Sequence, residues 1–199
     1  MRIIAGELRG RRLLPPQGPA TRPITDRVKQ SLFDILAPSL PGAVIYDCFA
    51  GTGSMGLESL SRGAERAVFF EFDPGAAALL RRNIETLGLT SRSRIITADI
   101  FAWADSAPPP TRPVDIVFFD PPYAFLTERA DDLRRLINTL TDQHLSEQAI
   151  VMFRHAAADA LDLPPLVRYD QRDYGSMTID LLTCQSTPTN ISSPPTPPE

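Results

Sequence analysis

From Ala43 onward, short apolar runs alternate with stretches whose apolar residues recur every three or four positions. AVIYD (43–47), AVFFEF (67–72), RIITAD (94–99), VDIVFFD (114–120) and AIVMF (149–153) read as strands. They are apolar enough to be covered on both faces. Between them, 54–62 reads as a helix with Leu57 and Leu60 inward. Asp73-Pro74 opens a helix carrying Ala77, Leu80, Ile84 and Leu87, and Gly88 ends it. Thr127 is expected to cap a helix with Leu133, Leu136, Ile137 and Leu140 on one face. Strands alternating with helices predict a mostly parallel sheet with helices on both faces. Two last apolar runs, near 166–170 and 177–183, flank Tyr174-Gly175 and leave no room for a helix. They predict an antiparallel terminal hairpin.

The first residues break this pattern. Arg2-Ile3-Ile4-Ala5 and Arg12-Leu13-Leu14 flank a turn-prone segment from Gly6 to Gly10 and read as a β-hairpin arm. A helix over 25–36 follows, with Val28, Leu32, Ile35 and Leu36 on one face. The arm and this helix are taken as one unit (1–36) and the alternating region as a second (37–185). The last residues, 186–199, are rich in proline and poor in apolar residues, so a disordered tail is expected there. APPPTRP (107–113) reads as a surface loop.

Composition narrows the class. The chain has 199 residues, 43% hydrophobic and 22% charged, with two cysteines. This is enough to bury a core without disulfides, and a secreted disulfide scaffold is excluded. No apolar run approaches a membrane span, and the N-terminus lacks a signal-peptide pattern, so a cytoplasmic protein is expected. The net charge of −4 is unevenly spread: residues 1–31 hold seven basic groups against two acids. A basic arm on an acidic body points to a polyanionic partner.

Four motifs fall at the carboxyl ends of the strands. Asp47 precedes Gly51, Gly53 and Gly56, which have the G-x-G-x-x-G spacing of a loop that lets a ligand approach the backbone. A carboxylate at Asp47 disfavours a pyrophosphate and suits a cationic ligand with an amino group and a sulfonium. Glu71, 20 residues beyond Gly51, is placed to accept from both hydroxyls of a ribose. Asp99 is a candidate acceptor for an adenine amino group, with Ile100 on the ring. Asp120-Pro121-Pro122-Tyr123 is the most specific signal. Its prolines lack N–H donors, so acceptors face outward. Accepting both hydrogens of a planar exocyclic amine, on the Asp120 carboxylate and the Pro121 carbonyl, localises its lone pair for attack on a methyl sulfonium. Tyr123 offers a face for stacking a base. His144 and His155 lack ligand-spaced partners, so no metal is expected, and Cys48 and Trp103 read as packing residues.

These residues resemble the class I S-adenosyl-L-methionine-dependent methyltransferases of the amino-methylating branch. RIIAGELRGRRL (2–13), RPITDRVKQSLFDIL (22–36), DCFAGTGSMGLE (47–58) and FDPPY (119–123) are similar to the RsmD family in particular. The resemblance implies a Rossmann-like α/β fold with a seven-stranded sheet. It implies methylation of the exocyclic N2 of one guanine in 16S rRNA of the small ribosomal subunit. Carried over by position, Asp47, Gly51, Gly53, Glu71 and Asp99 would hold S-adenosyl-L-methionine, beside Ile100 from the reading above, and Asp120, Pro121 and Tyr123 the target base. Arg2, Arg9, Arg11, Arg12, Arg22 and Arg27 would engage RNA. The chain departs from the family's pattern at Ile24, Gln30 and Arg154, where Thr, an acid and Glu are usual.

A monomer acting on rRNA is the expectation. Asp-Pro-Pro-Tyr alone would equally serve adenine or cytosine amines in DNA, or a protein glutamine. A nicotinamide-dependent oxidoreductase built on the glycine loop is opposed by Asp47. A non-catalytic rRNA-binding assembly factor is opposed by the intact motif set.

Overall fold

The computed structural model describes residues 1–15 and 24–184. The expected tail from 186 onward, and Arg22, lie outside the described residues. Seven strands form one sheet in the order β3-β2-β1-β4-β5-β7-β6. They are β1 (Val44–Asp47), β2 (Arg66–Phe70), β3 (Ser93–Ile96), β4 (Val114–Phe119), β5 (Leu145–Ala156), β6 (Val167–Tyr174) and β7 (Met177–Thr183). The first five are parallel. β7 runs antiparallel to both β5 and β6, which makes the expected terminal hairpin.

The period-two alternation of each strand decides which helices it meets. Ile45, Phe69, Ile116, Phe118, Ile150, Met152 and Leu181 share one core with α1 (Asp26–Leu36), α2 (Ser54–Ser61) and α3 (Pro74–Leu87). Tyr46, Phe70, Val117, Phe119, Val151 and Phe153 share the other with α4 (Ile100–Ala104), α5 (Phe125–Glu128) and α6 (Ala130–Gln143). The sheet is thus the middle of three layers. The chain adds β2 and β3 on one side of β1, then returns to place β4 on the other. That reversal opens a crevice beyond the carboxyl ends of β1 and β4.

Thr25 caps α1 by accepting from the Val28 N–H, and Asp73 caps α3 by accepting from the Ala76 N–H. Three readings of the pattern are corrected. β3 ends at Ile96, and Asp99 caps α4, a helix of five residues, too short to show a period. Thr127 does not cap a helix: it lies inside α5, its hydroxyl donating back to the Ala124 carbonyl, because the turn after the two prolines starts helical geometry early. β5 begins at Leu145 rather than 149. Val114 pairs with Leu145 while Ile116 pairs with Ile150, so residues 146–149 form a bulge.

The N-terminal arm is a hairpin closed by one antiparallel bridge, Arg2 to Arg12, with Ile3 N–H donating to the Arg11 carbonyl. It is pinned to α2. The Ile4 and Ala5 N–H groups donate to the Glu58 carboxylate at 2.7 and 3.0 Å. Gly6 has φ +84°, and a Cβ there would stand 1.9 Å from the Ser61 carbonyl oxygen, so only glycine fits this approach. Ile3 and Leu13 enter the same core as α1. Lys29, one of the seven basic groups among residues 1–31, is instead buried: its Nζ donates to the Arg2 carbonyl and pairs with Glu58. Burial lowers its pKa, with Glu58 opposing that shift.

Candidate active site at the carboxyl edge of the sheet

Loops after β1, β2, β3 and β4 line a cavity of about 630 Å³. That is the size of a small-molecule site. Its wall includes Gly51, Glu71, Asp99, Ile100, Asp120, Pro121 and Tyr123. Seven of the residues singled out from strand-end motifs therefore converge on one space.

The glycines of the loop after β1 divide the work. Gly51, at φ +53°, has nothing within 4 Å of a Cβ position and lines the cavity. Gly53 does not line it: a Cβ there would come within 2.3 Å of Leu80. Gly56 would collide with the Phe69 ring at the same distance. One glycine leaves ligand space, and two let α2 pack.

Asp47 also sits behind the wall. It is 3% exposed, and its Oδ2 accepts from the Gly56 N–H at 3.0 Å. Burial pushes its carboxyl up to about 7; Asp120 and Glu71 add to the rise and the Gly56 N–H opposes it. Glu71 joins two loops, accepting from the Gly51 N–H at 2.8 Å and the Asp73 N–H at 2.9 Å. Each carboxylate oxygen has a second lone pair, so two acceptor sites remain. Asp99 accepts from the Phe101 N–H at 3.0 Å, and its other oxygen lies 3.9 Å from Arg129.

At the opposite motif, Asp120 Oδ1 accepts from Arg154 Nε at 2.7 Å. Burial raises the Asp120 carboxyl above its ordinary value, and the Arg154 charge pulls it back. Pro121 is buried, and Tyr123 is 40% exposed at the rim. Cys48 lines the cavity as a free thiol, pushed up by burial.

Sequence motifs do not reveal three parts of this wall. Phe49 and Phe125 stand edge to face, 6.3 Å between centroids. Arg129 lies 3.9 Å over the Phe101 ring. Arg154 stands out in the sequence only as a departure from the family's pattern, yet it is the partner of Asp120.

The arm's arginines sort by partner. Arg9, Arg12 and Arg27 are exposed. Arg2 pairs with Asp26 at 2.8 Å, and Arg11 donates to the Thr86 carbonyl. The arm also reaches the glycine loop. Asn83 Oδ1 accepts from the Leu14 N–H at 2.8 Å, while its Nδ2 donates to the Thr52 carbonyl at 3.0 Å.

Known proteins share this architecture. The family model described as "Conserved hypothetical protein 95" matches residues 1–183. A protein of Escherichia coli K12 named ribosomal RNA small subunit methyltransferase D is 36% identical over 166 residues, covering 83% of this chain and 79% of the relative. The structure of the putative methyltransferase yhhF from Escherichia coli superposes with a TM-score of 0.80 at 30% identity, covering 94% of this chain and 99% of that one. An RNA methyltransferase from Salinibacter ruber, solved with S-adenosyl-L-homocysteine, shares the fold at 18% identity, with a TM-score of 0.61 over 86% of this chain and all of that one. With its model matched from the arm to the last strand, the chain belongs to the RsmD family, the group described as conserved hypothetical protein 95.

Proposed function

We propose that the protein transfers a methyl group from S-adenosyl-L-methionine to the exocyclic N2 of one guanine in 16S rRNA of the small ribosomal subunit. The observation that carries this reading is the Asp120-Pro121-Pro122-Tyr123 turn at one end of a cavity whose wall also holds Gly51 and Glu71. The relatives' names support the same reaction class and an rRNA substrate.

The residues fit the cofactor. Gly51 leaves open space against the wall, and Glu71 keeps lone pairs for the two ribose hydroxyls. Ile100, Phe49 and Phe101 give an apolar bed for a purine, with Asp99 at its edge. Asp47 lies behind the loop, where a cationic group bound nearby would favour its ionised form. When bound, S-adenosyl-L-methionine supplies a methyl on a cationic sulfur: the N–C bond forms as the C–S bond breaks, and S-adenosyl-L-homocysteine leaves.

The protein's own groups do the rest by positioning and electrostatics. The arm's exposed arginines hold RNA phosphates while the target base leaves its stack, at a cost of a few kcal/mol. Tyr123 stacks on that base. Asp120 and the Pro121 carbonyl accept the two N–H bonds of the amine, which turns its lone pair toward the methyl. The nitrogen then sheds one proton, with Asp120 beside it as first acceptor. On this reading the protein works as a monomer in the cytoplasm, on rRNA within the small subunit or an assembly intermediate.

The test combines labelled S-adenosyl-L-methionine, small subunits lacking their native methylations and nucleoside mass spectrometry. The expected product is N2-methylguanosine at one site, reduced roughly a hundredfold or more in Asp120→Ala. Cofactor affinity should stay nearly unchanged in that variant. Transfer to another amine, or none to RNA, would overturn the reading.

A further inference from the structure

β4 and β5 run parallel with Phe119 opposite Phe153, so Asp120, the first residue past β4, falls beside Arg154, which is still within β5. Arg154 Nε donates to Asp120 Oδ1 at 2.7 Å. Arg154 is 8% exposed, yet it lines the cavity with Asp120, Pro121 and Tyr123. Its Nη1 reaches only the Met177 sulfur, at 3.8 Å, a weak acceptor. Neither its Nη2 nor Asp120 Oδ2 has a hydrogen bond among the described residues. A guanidinium has five donors in a fixed plane, so committing Nε leaves donors beside the carboxylate. The pair therefore has two acceptors, Oδ2 and the second lone pair of Oδ1, and an Arg154 donor with which to meet a ligand in the cavity they both line.

The Watson–Crick edge of guanine carries the complementary set: the N2 donor, the N1 donor and the O6 acceptor. Adenine follows its amino donor with an acceptor at N1 and then a C–H. Cytosine follows its amino donor with two acceptors. Against either, one of the two acceptors would face a lone pair. Resting on the guanine-N2 reading above, we propose that Arg154 is the specificity-determining residue of this site. It donates to guanine O6 while fixing the Asp120 carboxylate so that both of its oxygens face N2 and N1. The pair thus offers the base what a cytosine partner offers it in a duplex, and offsets the pairing lost when the base leaves its stack.

The test compares reconstituted small subunits carrying guanosine or 6-thioguanosine at the methylated position. The thio base keeps N1–H and N2 but weakens the acceptor at position 6. Wild-type protein is expected to favour guanosine by about tenfold or more in kcat/KM, as a site built around a hydrogen bond does. In Arg154→Met the guanosine rate falls and that preference disappears. Arg154→Lys keeps a cation against Asp120, and with it folding and cofactor binding, but lacks the planar fork, so it too loses the preference. A variant that folds, binds cofactor and keeps the wild-type preference overturns the inference alone. Absence of any guanosine transfer by wild-type protein overturns the underlying reading and this inference with it.

Discussion

Lys29 Nζ lies 3.1 Å from Glu58 Oε2 with the two side chains 2% and 0% exposed. The same carboxylate accepts from the arm's Ile4 and Ala5 N–H groups and from Arg62 Nε. One sealed acid therefore joins arm, α1 and α2. Removing one member of such a pair strands the others, at a cost of about 3–5 kcal/mol. Glu58→Ala should lower the unfolding free energy by that order in a denaturant titration. Fast hydrogen exchange at Ile4 and Ala5 should accompany it. Unchanged protection at those amides would show that the arm is held some other way.

Asp47 makes the stability of the ligand-free protein depend on pH. Its folded pKa of about 7 lies above the ordinary 3.8. Between roughly pH 4 and 7 the unfolded chain gives up this proton while the folded chain keeps it. Stability is therefore full below that window, falls as pH rises through it, and is flat above. Melting curves at about pH 4.5, 6 and 8 should show wild type losing ground against Asp47→Asn. Parallel curves would mean that Asp47 is ionised throughout.

Glu71→Gln should weaken cofactor binding by about 10–100-fold in Kd, because it removes charge-assisted bonds worth roughly 1.5–3 kcal/mol. Calorimetry with S-adenosyl-L-homocysteine measures this directly. An unchanged Kd would reduce Glu71 to a brace between Gly51 and Asp73.

The exposed Arg9, Arg12 and Arg27 can change without disturbing the core. Converting all three to alanine should flatten the salt dependence of RNA binding, by roughly 0.7–0.9 in log–log slope for each phosphate no longer neutralised. Cofactor affinity should not move. A preserved slope would place the RNA surface elsewhere on the molecule.

The layers and the strand-end acids were legible because both follow from local pattern. Period-two runs place Phe69 and Phe118 on one face and Phe70 and Phe119 on the other, and a parallel sheet brings all its carboxyl ends to one edge. The depth of Asp47 was not legible, since strand position alone does not say whether a side chain lines a cavity or lies behind its wall. Arg154 was hidden for a different reason. Its meeting with Asp120 depends on the register of β5 against β4, which the bulge at 146–149 resets. Counting from the start of either strand gives the wrong neighbour.

The Asn83 side chain is a single flat amide with one end on Leu14 and the other on Thr52. The arm segment that follows Arg12 and the loop that carries the glycines are therefore hydrogen-bonded to the same side chain, a route by which they can be coupled. Linkage makes such coupling symmetric in free energy. On the proposed reading, whatever RNA on the arm lends to the ligand in the crevice, the ligand returns to RNA in equal measure. The order in which the two arrive can then change the rates without changing the final affinity of the assembled complex.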